Sequence, residues 1–134
     1  MMITIERRLL QAAITLGSLV PFYAGGKGVL YGALAFDYAD VSPALDSHIR
    51  YLSGLLFALG LAFVSCIPAV ETKARRFALL ALIVFAGGLA RLYGVVTHGD
   101  PGHAMTFGLL MELIVTPALC LWVRAYARVT PASA

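Results

Sequence analysis

The feature that most limits how this chain can fold is a set of four apolar runs, each about as long as a lipid bilayer is thick. Leu9 to Gly26 is interrupted only by the neutral polar residues Gln11, Thr15 and Ser18. Tyr51 to Val70 carries no charge, Phe77 to Val96 carries only Arg91, and Ala104 to Val123 carries only Glu112. Crossing the hydrocarbon core takes roughly 20 apolar residues in a helix. Backbone polar groups cannot stay open in hydrocarbon, and the alternating pattern of a barrel strand is absent, so each run is expected to be a helix. Composition agrees, since a soluble chain of 134 residues could not bury a sequence that is 60% hydrophobic and 13% charged. The expected fold is an all-α membrane protein, a four-transmembrane-helix antiparallel bundle forming a single domain over residues 1–134.

The expected transmembrane helices cover 3–24, 43–70, 75–97 and 102–128, with a short interfacial segment at 29–41. Gly25-Gly26-Lys27-Gly28 is expected to break the first helix. The segment that follows is too short to span and too apolar to float free, and its Tyr31, Phe36 and Tyr38 suit the aromatic belt of a membrane surface. Ser42-Pro43 reads as an N-cap followed by a first helical residue, with Asp46 at the positive end of the helix dipole. His98-Gly99-Asp100-Pro101-Gly102 is a tight turn that makes the third and fourth helices adjacent and antiparallel. Pro117 frees the carbonyl of Leu113 and predicts a local bend. Small residues at Gly54, Ala58 and Ala62, and at Ala86, Ala90 and Gly94, would allow close helix contact within the chain or between copies. The tail from Thr130 to Ala134 is expected to be disordered.

Charge gives the expected orientation. Arg7 and Arg8 precede the first helix, Lys73, Arg75 and Arg76 lie between the second and third, and Arg124 and Arg128 end the fourth. The opposite face carries Lys27 among Asp37, Asp40, Asp46 and Asp100. Lysine and arginine stay in the cytoplasm, which predicts a multi-pass protein with both termini inside. The net charge of +3 is therefore a topology signal rather than a nucleic-acid footprint, with contact to anionic lipid heads as a further use. The first run shares a basic start with secretory signals, but Phe22 spoils the small-x-small pattern before any cut after Ala24, so it is expected to be retained. Cys66 and Cys120 have no CxxC spacing and are expected to be packing residues.

Three ionisable residues stand at or within membrane depth: Arg50, Arg91 and Glu112. An unpaired charge facing lipid is costly, so each should face the bundle interior and find a partner. Arg91 and Glu112 lie nearly equal distances before and after Pro101, about 15 Å inside the turn, which predicts an ion pair. Arg50 should lie on the order of 8 Å farther out, leaving one positive charge unpartnered unless Asp46 bends in. Gly87, Gly94 and His98 share the face of Arg91, and Gly108 and Thr116 that of Glu112, so there should be room beside the pair. His48 and the hydroxyls of Tyr23, Tyr51 and Tyr93 are candidates for the same region.

The runs His48-Ile49-Arg50 leading to Ser53-Gly54, then Gly87-Gly88-Leu89-Ala90-Arg91-Leu92, then Met111-Glu112-Leu113, are the most distinctive in the chain. In these the sequence resembles a bacterial family of small four-helix membrane proteins, domain of unknown function 4345. The resemblance runs from about Ser47 to Trp122 and covers the first helix loosely. It implies four helices and marks the same three charged positions; it implies no activity.

The expected function is to bind or carry a small anionic amphiphile, a lipid or fatty acid. Its acid head would pair with the surplus arginine among Arg50, Arg91 and Glu112, with Tyr51, Tyr93 and His48 as neighbours. Four other readings compete. The charged pair could simply fix helix register. The chain could be an accessory subunit of a larger membrane complex. An enzyme using Glu112 on a membrane-embedded substrate is weaker, because an arginine neighbour favours the ionised carboxylate and no nucleophile–base pair can be located. A metal held by His48, His98 and His103 with Asp46 or Asp100 matches no ligand spacing. No cofactor and no catalytic residue are assigned. The expected partners are membrane lipids, a second copy or another membrane protein.

Overall fold

The computed structural model describes residues 2–130, with side chains from residue 4 onward, so the tail at 131–134 lies outside the described residues. Among the described residues all regular structure is helical. Helix α1 (Met2–Tyr31) ends in a 3-10 turn (Gly32–Phe36), and α2 (Pro43–Val64) is followed by another (Ile67–Ala69). Helix α3 (Ala74–His98) comes next. Helices α4 (His103–Leu110) and α5 (Thr116–Val129) then run on through a single π turn (Met111–Val115). Four segments are long and apolar enough to cross a membrane: Thr4–Phe36, Pro43–Ala69, Ala74–His98 and His103–Val129. The chain is a multi-pass membrane protein with four transmembrane helices.

The described residues form two compact units, one of residues 2–14 together with 66–130, the other of residues 15–65. In the first, α3 packs against α4 and α5 through the turn at 98–102. Gly99 (φ +97°) and Gly102 (φ +90°) adopt backbone conformations that side chains oppose, and Asp100 accepts the Gly102 N–H at 2.9 Å. Its core is apolar: Leu10, Val70, Phe77, Val123 and Tyr126 are all at most 2% exposed. Polar contacts gather at one end. Arg7 binds both Glu71 oxygens (3.2 and 3.3 Å) and the Pro68 carbonyl (2.8 Å), and Gln11 donates to the Ile67 carbonyl at 2.8 Å. These side chains take up carbonyls left open where the 3-10 turn around Pro68 departs from helical pairing. Both cysteines are free thiols.

In the second unit the structure corrects the expected break at Gly25-Gly26-Lys27-Gly28: α1 continues through the glycines to Tyr31. These glycines serve contact rather than flexibility. A Cβ on Gly25 would lie 2.7 Å from the Phe57 N and 2.8 Å from the Ser53 carbonyl oxygen, and one on Gly28 would lie 2.7 Å from the Ser53 Cβ. Close backbone approach is what small residues provide between membrane helices, and it outweighs the loss of helix propensity. Within the expected interfacial segment at 29–41, residues 29–31 finish α1 and 32–36 form the 3-10 turn with Ala33 and Ala35 buried. The cap at Ser42 is as expected, its Oγ accepting the Leu45 N–H at 3.2 Å. Of the small residues expected to mediate close contact, Ala58, Ala86 and Ala90 are exposed.

Candidate functional site

In the first unit, Arg91 on α3 meets Glu112 in the π turn. Its Nε donates to Oε2 at 2.9 Å and its Nη2 to Oε1 at 3.0 Å. This is the paired fork that an arginine and a carboxylate form best, and it fixes orientation as well as charge. The arginine side chain is 33% exposed and the glutamate 18%, so the pair is sheltered but open on one side. The expected ion pair is present.

Two features place Glu112. Pro117 has no N–H, and in a regular helix its ring would crowd the Leu113 carbonyl. The chain answers with a π turn at Met111–Val115, in which the Thr116 N–H reaches back to the Met111 carbonyl. The Thr116 hydroxyl donates to the same oxygen at 2.8 Å. Such widened turns often mark functional positions. The second feature is Gly88, one turn before Arg91: a Cβ there would lie 2.8 Å from the Glu112 Cβ and 2.7 Å from the Leu113 Cδ2. Gly88 therefore lets the backbone of α3 lie against the widened turn. Gly87 and Gly94 do something else, since a Cβ on either would meet nothing within 4 Å.

The Arg91 guanidinium has five N–H donors. Two go to Glu112, and Nη1 points one at the Met105 sulfur at 3.0 Å. A thioether is a weak acceptor. Among the described residues no oxygen or nitrogen acceptor occupies the remaining edge.

Arg50 has a different occupation in the second unit. Its Nε donates to Asp46 at 2.8 Å, and its Nη1 donates to the carbonyls of Val29 (2.7 Å) and Leu30 (3.1 Å). It thus closes the last open carbonyls of α1, the end of a helix where a cation is favoured. The other oxygen of Asp46 accepts the Ala33 N–H at 2.8 Å, holding the 3-10 turn. Gly32 (φ +58°) makes both contacts feasible, because a Cβ there would run into Asp46 and lie 2.8 Å from the Arg50 Nη2. The charge expected to be in surplus is matched by Asp46.

Of the other expected site residues, Tyr93 belongs to the first unit, and His48 and Tyr51 to the second. Tyr93 is 71% exposed and donates no hydrogen bond to Arg91 or Glu112, its carbonyl accepting instead from Thr97 at 2.8 Å. His48 and Tyr51 are exposed, and their rings stand 6.4 Å apart. Tyr23 is 74% exposed. His98 shares a hydrogen bond with Thr97 at 2.7 Å. Among the described residues no three His, Cys, Asp or Glu side chains gather as a metal ion would require.

Sequence reasoning missed Gly88 and Met105 as neighbours of the pair. Gly88 was legible in its spacing of three from Arg91, whereas nothing in the sequence aims Met105 at a guanidinium. The family model described as Domain of unknown function (DUF4345) matches residues 9–123, a stretch that contains Arg50, Arg91 and Glu112. No curated protein and no solved structure matches the chain.

Proposed function

The chain belongs to the DUF4345 family, and we propose that it binds or carries a small amphiphile with an acidic head, a lipid or fatty acid, at the Arg91–Glu112 pair. The observation that carries this reading is the spare edge of the Arg91 guanidinium, which meets only the Met105 thioether. An oxygen of a carboxylate or phosphate head is a far better acceptor, and the unbranched methionine can move aside for it. Glu112 stays on the opposite edge and keeps the fork oriented. The open space beside Gly87 and Gly94 gives the tail a path along α3. Because Arg50 is committed to Asp46 and α1, binding draws on the unused donors of Arg91 rather than on an uncompensated charge. Tyr93, two residues beyond Arg91 on α3, is a further exposed polar group within the same unit. The distribution of lysine and arginine supports both termini in the cytoplasm, and the membrane proposed is a bacterial inner one.

A second reading, a subunit of a larger membrane assembly, draws on the exposed small residues Ala58, Ala86 and Ala90. They would let another helix approach closely.

Native mass spectrometry with lipid identification, on the full chain in mild detergent, tests the first reading. Wild type should retain one acidic amphiphile, and the double variant Arg91→Met/Glu112→Leu should lose it while keeping its helical circular dichroism. A folded double variant that retains the same amphiphile would overturn the reading. If wild type carries only another membrane protein, the assembly reading takes its place.

A further inference from the structure

A second charged site lies at the other end of the first unit, between the start of α3 and the end of α5. A groove of about 390 Å³ is lined by Ala74, Arg75 and Ala78 on α3 and by Arg124, Ala127 and Arg128 on α5. Arg124 and Arg128 are four residues apart and share a face. The alanines keep the floor low, so the three guanidiniums border an open space. None of the three has a carboxylate partner among the described residues, whose ion pairs are Arg7–Glu71, Arg50–Asp46 and Arg91–Glu112.

Helix electrostatics do not account for all three. Arg124 and Arg128 stand near the end of α5, where the macrodipole favours cations. Arg75 stands in the first turn of α3, where it does not. That turn contains no acidic residue, and its N-cap Lys73 makes no side-chain cap. Three arginines and a positive helix end thus converge, and among the described residues no carboxylate offsets them beyond the negative end of the α5 dipole. The ends of two transmembrane helices also belong at the head-group layer, where basic pockets between helices take up lipid phosphates.

We infer that this groove binds a phosphoryl oxyanion, supplied by the head group of an anionic phospholipid or by free phosphate. Arginine forks match two oxygens of such a group, and the alanine floor lets it sit between the helices. The site shares no residue with the Arg91–Glu112 pair.

The test uses the full chain in a nonionic detergent, titrated with dioleoyl phosphatidylglycerol, with dioleoyl phosphatidylcholine, and separately with inorganic phosphate. Binding is read by native mass spectrometry for the lipids and by calorimetry for phosphate. Wild type is compared with Arg75→Gln/Arg124→Gln/Arg128→Gln and with a control, Arg8→Gln/Lys73→Gln/Arg76→Gln, that removes the same charge elsewhere in the unit. Arg91 is intact in all three proteins, so any difference reports on the groove. Wild type should hold one phosphatidylglycerol in preference to phosphatidylcholine. Each groove arginine should contribute roughly fivefold, and the groove variant should weaken binding on the order of a hundredfold. The control should weaken it less than about tenfold. Phosphate binding with the same dependence would assign the site to a soluble oxyanion, and its absence would assign it to the lipid. Equal loss in both variants, or loss in neither, would overturn the inference. Should the triple groove variant lose its helicity, Arg75→Gln alone decides: an unchanged affinity for both ligands rejects the site.

Discussion

Arg91 and Glu112 meet fork to fork, at 2.9 and 3.0 Å, although 21 residues and a complete reversal of the chain separate them. A lone charge near the middle of a membrane helix costs about 2.5–3.5 kcal/mol. Arg91→Met and Glu112→Leu should therefore each destabilise the protein by about that much, since each strands its partner. The double variant should recover most of the loss, because two apolar side chains leave no charge to solvate. Reversible unfolding in mixed micelles, followed by circular dichroism, gives the coupling. Losses that simply add would show that the two residues stabilise the fold independently.

Met105→Gln places an amide oxygen where the thioether now meets Arg91 Nη1. The spare edge is then occupied from within, and retention of the acidic amphiphile should fall roughly tenfold, as for one hydrogen bond to a charged group. Met105→Leu removes the weak acceptor without replacing it and should leave retention near wild type. Lipid counting by native mass spectrometry separates the two. Undiminished retention in Met105→Gln would count against binding at that edge.

Adjacent glycines in α1 should respond with opposite signs. A Cβ on Gly25 would meet backbone atoms of α2 at 2.7 and 2.8 Å, whereas on Gly26 its nearest neighbours are Phe57 ring atoms at 3.9 Å. Gly25→Ala should destabilise by about 1–3 kcal/mol, the usual cost of overpacking. Gly26→Ala should stabilise by up to about 1 kcal/mol, because alanine has the better helix propensity. Melting temperatures of the two variants check this; two shifts in the same direction would contradict the close packing of α1 on α2.

Glu71 supplies a pH dependence. A hydrogen bond from its own backbone N–H holds its carboxyl below the ordinary value of 4.5, burial opposes this, and Arg7 adds to the lowering. The folded state thus favours the ionised form, so the contribution is present above the unfolded value and is lost as pH falls through the lower folded one. Glu71→Gln should lower stability at neutral pH and flatten the decline below about 4.5. A melting curve series across that range measures both; an unchanged acid limb would show that Glu71 does not contribute to it.

Helix number and the Arg91–Glu112 register were legible because membrane thickness, a short turn and a fixed rise per residue leave little freedom. The Ser42 cap was legible for a similar reason, being decided by four consecutive residues. The glycine run 25–28 misleads because the same residue that loosens a helix in water lets two helices touch in a membrane. Telling the cases apart requires the face that Gly25, Gly28 and Gly32 share, together with Ser53 and Phe57 of a helix more than twenty residues away. Arg50 was legible as a charge in need of a partner. Its carbonyl acceptors on Val29 and Leu30 were not, since they exist only once α1 is known to end there.

The π turn also sets an azimuth. A turn that holds one extra residue advances the rest of the helix by about 100° relative to an uninterrupted one. Met105 and Gly108 therefore point in a direction decoupled from that of Val123 and Tyr126, so the segment from His103 to Val129 presents two independently aimed surfaces. The first surface meets the charged pair, while the second carries the buried side chains and the basic groove. Deleting the exposed Ile114 would remove one side chain and keep the charged pair and every apolar stretch, yet swing one surface away from its partner.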